Sequence, residues 1–443
     1  MRLAEQRPRC DNPRNLHRRA AMSLIRFVHA ADLHLDSPFQ GIAVSDPTVA
    51  ARLRSATFDA YERIIDLCIE QRVDALLVAG DVFDGRDRSL QAQLKFVAGL
   101  QRLDEAGVRS FICHGNHDPL DGWDANLTFP PSALSFGPEV ERAPVFPDDP
   151  DRVAVYGMSY PTSVVKENLV PRFGTKGAEL FAIGLVHANV GTDTGHEVYA
   201  PCTLGDLEGT GFDYWALGHV HTRQVLRGNG PAVVYPGNPQ GRHPNEDGPR
   251  GAYLVEVSDA GDVNLEFHPT DLVRWQGLEL RIDDIDDTQD LLDRLDQAIG
   301  AAREAADGRD LVARLTLSGR GPVHGDLVRP GFIDSLQTDL NQSWSSRRPF
   351  AYCERVTDST FPALDRNERK QAEDFIGDLM RLVDDYSVDP ANLDDLRTAL
   401  DPLFTNARAS RYLQDSAPTD EELTALLSAA EGACLDLLLG DES

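Results

Sequence analysis

The sequence predicts an α/β fold, and three observations predict it. Short apolar runs that stop at Gly, Asp, His or Asn recur along the first two thirds of the chain. Amphipathic helical stretches separate the first three of these runs, and the later runs follow with little helix between them. Strand, helix, strand, helix, strand is an α/β core, and the remaining strands require a second sheet packed on the first.

Residues 24–31 (LIRFVHAA), 74–80 (DALLVAG), 108–113 (VRSFIC), 152–157 (RVAVYG), 181–187 (FAIGLVH) and 213–217 (DYWAL) read as strands buried on both faces. Helices are expected over about 47–71, with Phe58, Tyr61, Ile64, Ile65 and Cys68 three or four apart, and over about 89–106, with Leu94, Val97, Leu100 and Leu103. Residues 232–235 and 252–257 complete the strands of a domain over 23–275. From about 277 the pattern restarts as LELRI, a helix over 288–305, LVARLTLSG, a helix over 331–344 and FAYCERV, a small α/β domain over 276–358.

Residues 359–443 read as helical. Phe375, Leu379, Leu382, Val383 and Tyr386 share one face, and Thr419-x-x-Glu422 forms a capping box before Leu423, Leu426, Leu427 and Leu437. Such helices either pack on their own protein or leave a groove for a partner. The run DDIDDTQD (283–290) reads as a solvated turn and helix start. Residues 1–22, with six Arg against Glu5 and Asp11, read as a flexible basic tail.

The absence of any long apolar window or signal-peptide pattern points to a cytoplasmic protein without a membrane span. Six scattered cysteines without a C-x-x-C pair favour reduced thiols, with Cys68 and Cys434 as small core residues. The formal net charge is −29, and 271–443 is more acidic per residue than 24–270. This surface repels phosphate backbones at long range, so nucleic-acid binding requires local Arg patches, bound cations or a partner.

The chemistry-bearing residues stand where strands end. Asp32 and His34 follow the first strand two apart, so that a strand end points both side chains to one side. Gly80-Asp81-Val82-Phe83-Asp84 follows the second and Gly115-Asn116-His117-Asp118 the third. His187 ends GLVH, and Gly218-His219-Val220-His221 ends YWAL. Ligands in open α/β sheets gather at the carboxyl ends of strands. Each cluster alone could be a helix cap, a satisfied histidine or a tight turn. Together they place five of the twelve histidines at strand ends, which the structural readings leave to coincidence. Imidazole, carboxylate and amide oxygen without thiolate suit Mn²⁺, Fe²⁺ or Zn²⁺, with enough donors for two ions.

The order D-x-H, G-D-x-x-D, G-N-H-D, a solitary His and G-H-x-H resembles the calcineurin-like metallophosphoesterase superfamily. The strings HAADLHLDSPFQG, GDVFD, HGNHDP, GFDYWALGHVHTR and YPGNPQGRHPNEDGPRG are similar to the bacterial YhaO family, relatives of the SbcD nuclease subunit described as DNA repair exonucleases. The likeness covers about 24–275, and LFTNARASRYL (403–413) also resembles that family.

The resemblance implies a four-layer core of two sheets between helices, a cap domain, and two divalent ions, Mn²⁺ first with Fe²⁺ or Zn²⁺ as alternatives. Asp32, His34 and His221 would hold the first ion, Asn116, His187 and His219 the second, and Asp81 both. His117 would be the catalytic histidine and Asp118 would orient it, while Asp84 stands where related nucleases carry His. The implied activity is a DNA exonuclease in repair with an SMC-like ATPase partner of YhaN or SbcC type, docked on the helical carboxyl-terminal region, and a homodimer. A phosphoesterase for small nucleotides shares the same core, and a scaffold that has lost its ligands is disfavoured because every expected ligand is present. Arg242 and His243 are candidate substrate contacts; with Arg223, Arg227 and Arg250 they serve equally well as structural ion pairs. His29 reads as structural and Asp36 as a turn residue.

Overall fold

The structure is a computed structural model, described over residues 23–439 apart from 38, 40–45, 86–88, 123–126, 192–197 and 406–417. The basic tail and most of LFTNARASRYL lie outside the described residues. The chain divides into two compact units, one of Met1–Gly277, Ile299–Arg314 and Leu340–Glu354, the other of Leu278–Ala298, Leu315–Asp339 and Arg355–Ser443. The division runs through 276–358 rather than at its ends.

The first unit opens with β1 (Ser23–Ala30), α1 (Pro47–Glu70), β2 (Ala75–Ala79), α2 (Leu90–Glu105) and β3 (Arg109–Cys113), close to the predicted spans. Then come β4 (Ala133–Ser135), β5 (Glu141–Pro144), β6 (Val153–Gly157), β7 (Phe181–His187), α3 (Leu204–Gly209), β8 (Tyr214–Gly218), β9 (Gln224–Arg227), β10 (Ala232–Tyr235), β11 (Gly251–Ser258) and β12 (Val263–Pro269). Two six-stranded sheets result, ordered β12-β11-β1-β2-β3-β4 and β5-β6-β7-β8-β10-β9. Strands β1 to β4 run parallel, as do β6, β7, β8 and β10, and antiparallel strands close three of the four edges, β4 being the parallel one.

Alternation along the strands builds the layers. Phe27, Leu77, Phe111, Val155, Ile183 and Tyr214 fill the space between the sheets. Val28, Leu76 and Val78 face the other way, onto Tyr61, Ile65, Phe96 and Leu100 of α1 and α2. Strands buried on both faces read as continuous apolar runs, which is why these were visible in the sequence. On the far side of the second sheet, Trp215 and Leu217 meet Leu207, Phe212 and Phe173. This fourth layer is thin, a six-residue α3 and a 3₁₀ turn at Val170–Phe173 with loop residues.

The later elements are β13 (Val273–Arg281), α4 (Thr288–Ala305), β14 (Asp310–Gly321), α5 (His324–Leu327), α6 (Phe332–Trp344) and β15 (Ala351–Pro362), with sheet order β13-β14-β15. The turn at 283–290 is a helix start, since Asp287 accepts the N–H of Asp290 at 3.0 Å. In the second unit follow α7 (Arg366–Arg369), α8 (Phe375–Val388), α9 (Pro390–Thr405) and α10 (Asp420–Leu439). The capping box forms: Thr419 N–H donates to Glu422 Oε2 at 2.7 Å and Glu422 N–H to Thr419 Oγ1 at 3.3 Å. The apolar faces are only partly covered. Met380, Val383 and Leu423 are buried, whereas Phe375, Leu382, Leu426 and Leu437 are exposed. Cys434 is also exposed, which corrects its reading as a core residue; the other four described cysteines are buried free thiols. No helix of the described residues is long and apolar enough to cross a membrane.

Candidate metal centre

The carboxyl ends of β1, β2, β3, β7 and β8 bring the predicted residues to one place, by a device the sequence did not disclose. Asp32 and His34 lie beyond the end of β1, and their backbone is left-handed, with φ of 53° and 44°. The two side chains therefore converge through a left-handed turn, which corrects the expectation that strand alternation presents them. Asp81 (φ 50°) and His219 (φ 97°) share this conformation. For residues other than glycine it is uncommon and persists where surrounding contacts enforce it. Here the loops after β1 and β2 are tied together: Asp32 N–H donates to Gly80 O at 3.0 Å, His34 N–H to Asp81 O at 3.0 Å and Leu35 N–H to Val82 O at 2.9 Å.

The glycines that open the motifs make room. A Cβ on Gly218 would stand 1.7 Å from the carbonyl oxygen of Ala79, and one on Gly115 would stand 2.3 Å from Oδ1 of Asp81. Neither fits unless the Ala79 backbone or the Asp81 carboxylate moves.

Asp32, His34 and His221 bring ligand atoms within 4.8 Å of one another, and so do Asp32, Asp81 and His187. His34 Nε2 faces His221 Nε2 at 3.2 Å. That is close to the spacing of two ligands each about 2.1 Å from one ion. His187 Nε2 lies 3.0 Å from Asn116 Oδ1 and 3.3 Å from Asp81 Oδ2. Asp81 Oδ2 is also 3.9 Å from His34 Nε2, so it stands between the two groups. The His219 ring lies 5.2 Å from that of His187, and the backbone N–H of His219 donates to both oxygens of Asp32 at 3.0 and 3.2 Å. Asp81, Asn116, His117, His219 and His221 line a cleft of about 400 Å³ with Ser163, Val164 and Tyr199.

The far nitrogens of two imidazoles are held by hydrogen bonds, and that of a third stands against a carboxylate. His34 Nδ1 lies 2.9 Å from Asp84 Oδ1, His221 Nδ1 donates to Glu246 Oε1 at 2.6 Å, and His187 Nδ1 donates to the Ala79 carbonyl at 3.0 Å. Such contacts fix the tautomer that leaves Nε2 free for a metal. Glu246 was not singled out in the sequence; its distance from His221 along the chain gives no motif.

Electrostatically the site calls for cations. Burial pushes the Asp32 carboxyl up, against the pull of His187 and His221. Burial also pushes Asp81 upward, but His187, His34 and His117 outweigh it and hold that carboxyl well below the usual range. Burial lowers the His34 imidazole to about 3, leaving it neutral as a ligand must be. His187 is depressed by burial yet raised to about 9 overall by Asp81 and Asp32. Two buried carboxylates thus draw a proton onto a buried imidazole, a charge that divalent ions would replace. Donor chemistry and convergence both fit a pair of such ions.

Three expectations change. Asp118 was to orient His117, but its Oδ2 pairs with His114 Nδ1 at 2.8 Å and accepts Val82 N–H at 2.9 Å, while Oδ1 accepts Gly115 N–H at 2.8 Å. The carboxylate beside His117 is that of Asp84, 3.4 Å from Nδ1. Arg242 was a candidate phosphate contact; its guanidinium is buried and donates to Ser37 Oγ at 2.5 Å and Asp84 Oδ1 at 3.2 Å. His243 Nδ1 accepts the N–H of Asn245 at 3.1 Å in a turn. Arg250 donates to the His221 carbonyl and to Asn238, Arg227 pairs with Glu208, and Arg223 lies over the Phe267 ring at 3.9 Å. His29 is structural, with Nδ1 3.0 Å from the Tyr214 hydroxyl, and Asp36 is exposed in a turn.

Residues 25–223 match the family model of calcineurin-like phosphoesterases, and 275–360 match that of the middle domain of metallophosphoesterase YhaO. The chain is 32% identical over 417 residues to the metallophosphoesterase YhaO of Bacillus subtilis (strain 168), covering 93% of this chain and 99% of that protein. The chain belongs to the YhaO metallophosphoesterase family. It therefore has the calcineurin-like fold and is a metal-dependent phosphoesterase, a hydrolase. More distant relatives of the chain include two proteins described as DNA double-strand break repair protein Mre11. That of Sulfurisphaera tokodaii is 27% identical over 48% of this chain and 53% of its own length. That of Haloferax volcanii is 28% identical over 58% and 57%. The chain spans about half the length of these Mre11 proteins.

Proposed function

We propose that the protein is a dinuclear phosphodiesterase that acts on DNA as an exonuclease in repair, with Asp32, His34 and His221 at the first ion and Asn116, His187 and His219 at the second. The observation that carries this reading is the placement of Asp81 Oδ2, 3.3 Å from His187 Nε2 and 3.9 Å from His34 Nε2, where one carboxylate can serve both ions. The choice of DNA is supported by the likeness to Mre11 repair proteins. The proposed metal is Mn²⁺, chosen on the family resemblance; the oxygen and imidazole set suits Fe²⁺ or Zn²⁺ as well.

When bound, the two ions supply Lewis acidity at the phosphoryl oxygens and lower the pKa of water. The chain's own residues position and move the proton. His117 is exposed at the cleft with Nδ1 3.4 Å from Asp84 Oδ1, and its Nε2–H would protonate the departing 3′ or 5′ oxygen. The backbone N–H of His117 donates to Asp81 Oδ1 at 2.9 Å, tying the proton donor to the shared ligand. Asp118 keeps the loop in register through Gly115, Val82 and His114. His117→Ala lowers kcat by about 10²–10⁴-fold with metal content intact; loss of metal in that variant would make His117 a ligand instead.

An SMC-like ATPase of YhaN or SbcC type is the proposed partner, in the cytoplasm, with the protein as a homodimer. Leu379, Leu382, Val383, Tyr386, Leu396 and Leu427 line an apolar groove of about 240 Å³ among α8, α9 and α10, which supports a dock on these helices. The net charge of −29 favours a second reading, hydrolysis of small phosphoesters. End-labelled linear DNA with Mn²⁺, Mg²⁺ or Zn²⁺, with and without the ATPase, separates the two. Stepwise loss of nucleotides supports the exonuclease. Turnover of cyclic or mononucleotides alone supports the small-substrate enzyme.

A further inference from the structure

We propose that Arg242 is a positioning residue for the first metal's imidazoles and for His117, acting through Asp84. This rests on the dinuclear reading of the site. Arg242 touches the two carboxylates that hold the first pair of imidazoles, one from each end of the residue. Its guanidinium Nη1 donates to Asp84 Oδ1 at 3.2 Å and to Ser37 Oγ at 2.5 Å, and Ser37 Oγ donates in turn to Asp84 Oδ2 at 2.8 Å. Its backbone N–H donates to Glu246 Oε2 at 2.7 Å, and Glu246 Oε1 accepts from His221 Nδ1 at 2.6 Å. Asp84 Oδ1 is shared further, 2.9 Å from His34 Nδ1 and 3.4 Å from His117 Nδ1.

One carboxylate oxygen thus faces a ligand imidazole, the proton donor and a guanidinium. A carboxylate free to rotate could serve only one of the two rings well at a time. With Arg242 and Ser37 gripping its two oxygens, its plane is set and both rings are aimed together. The guanidinium is buried, and turning it outward to a phosphate would strip Asp84 of its counter-charge. The chain's arginine at this position therefore serves the metal and the acid rather than the nucleic-acid backbone.

Substituting the side chain leaves the backbone N–H in place, so the contact from Glu246 to His221 survives and the effect must pass through Asp84. The test is Mn²⁺ titration of the chelated full-length protein, wild type against Arg242→Met, with steady-state kinetics on linear DNA alongside. The wild type binds two ions. In Arg242→Met one of the two dissociation constants rises by about 10–100-fold while the other stays within about threefold. Kcat falls, KM for DNA does not change, and Arg242→Lys, which keeps the charge, recovers part of both losses. Unchanged affinities for both ions with a raised KM for DNA would make Arg242 a phosphate contact and overturn the proposal. Should Arg242→Met melt with the unfolded chain, Ser37→Ala removes the other grip on Asp84 and must weaken the same single ion; equal affinities there overturn the proposal too. A wild type without two-ion binding sinks the dinuclear reading and this inference together, whereas failure in the variants alone leaves the dinuclear reading standing.

Discussion

The two halves of the metal centre are supported differently. His34 and His221 lean on side-chain carboxylates, Asp84 and Glu246, whereas His187 leans on the backbone carbonyl of Ala79 at the end of β2. A carboxylate anchor raises the basicity of its imidazole and can be changed by one substitution. A carbonyl anchor is part of the sheet and changes only if the backbone moves. Gly218 guards that carbonyl, since any Cβ there would stand 1.7 Å from it. The first half is tuned by side chains and the second by the fold. Asp81 stands between them.

The most severe break is therefore Asp81→Ala. It removes the shared ligand, and metal analysis should find both ions lost or displaced with activity down by more than about 10³-fold. A variant that hydrolysed a generic phosphodiester as well as the parent would refute the dinuclear assignment. Next comes Gly218→Ala, aimed at the carbonyl-anchored half. Forcing the new methyl against Ala79 O costs about 1–3 kcal/mol of stability, read as a lowered melting temperature, and weakens the ion held by His187 before that held by His34. Glu246→Gln strikes the carboxylate-anchored half alone: one ion binds about 10–100-fold more weakly, with global stability changed little. Equal weakening of both ions would erase the distinction between the halves. Arg227→Ala breaks only an exposed pair with Glu208; stability should stay within about 0.5 kcal/mol and KM for DNA should be unaltered.

The same contrast explains what was legible in the sequence. Asp32, His34, Asp81, Asn116, His187, His219 and His221 could be found because each follows an apolar run and the runs themselves are strands. The way they converge could not, because left-handed turns at Asp32, His34, Asp81 and His219 depend on hydrogen bonds between loops far apart in the chain. Asp118 and Asp84 illustrate the limit. Both follow a strand by a few residues, and only the packed loops decide that one holds His114 while the other faces His117. Arg242 likewise read equally as a phosphate contact or a structural ion pair until its buried partners were visible. In the fold, β4, β5, β9 and β12 escaped the sequence because they are short or half-exposed edge strands without a continuous apolar run. The helical periodicity of 366–440 was plain, yet periodicity does not say which apolar face is covered, and Phe375 and Leu437 are exposed.

The central claim, two ions sharing Asp81, is tested most directly by anomalous diffraction from crystals equilibrated with Mn²⁺. The account predicts two peaks roughly 3.5–4 Å apart, one beside His34 and His221 and one beside Asn116, His187 and His219, with Asp81 reaching both. A single peak, or two that do not share Asp81, would contradict it.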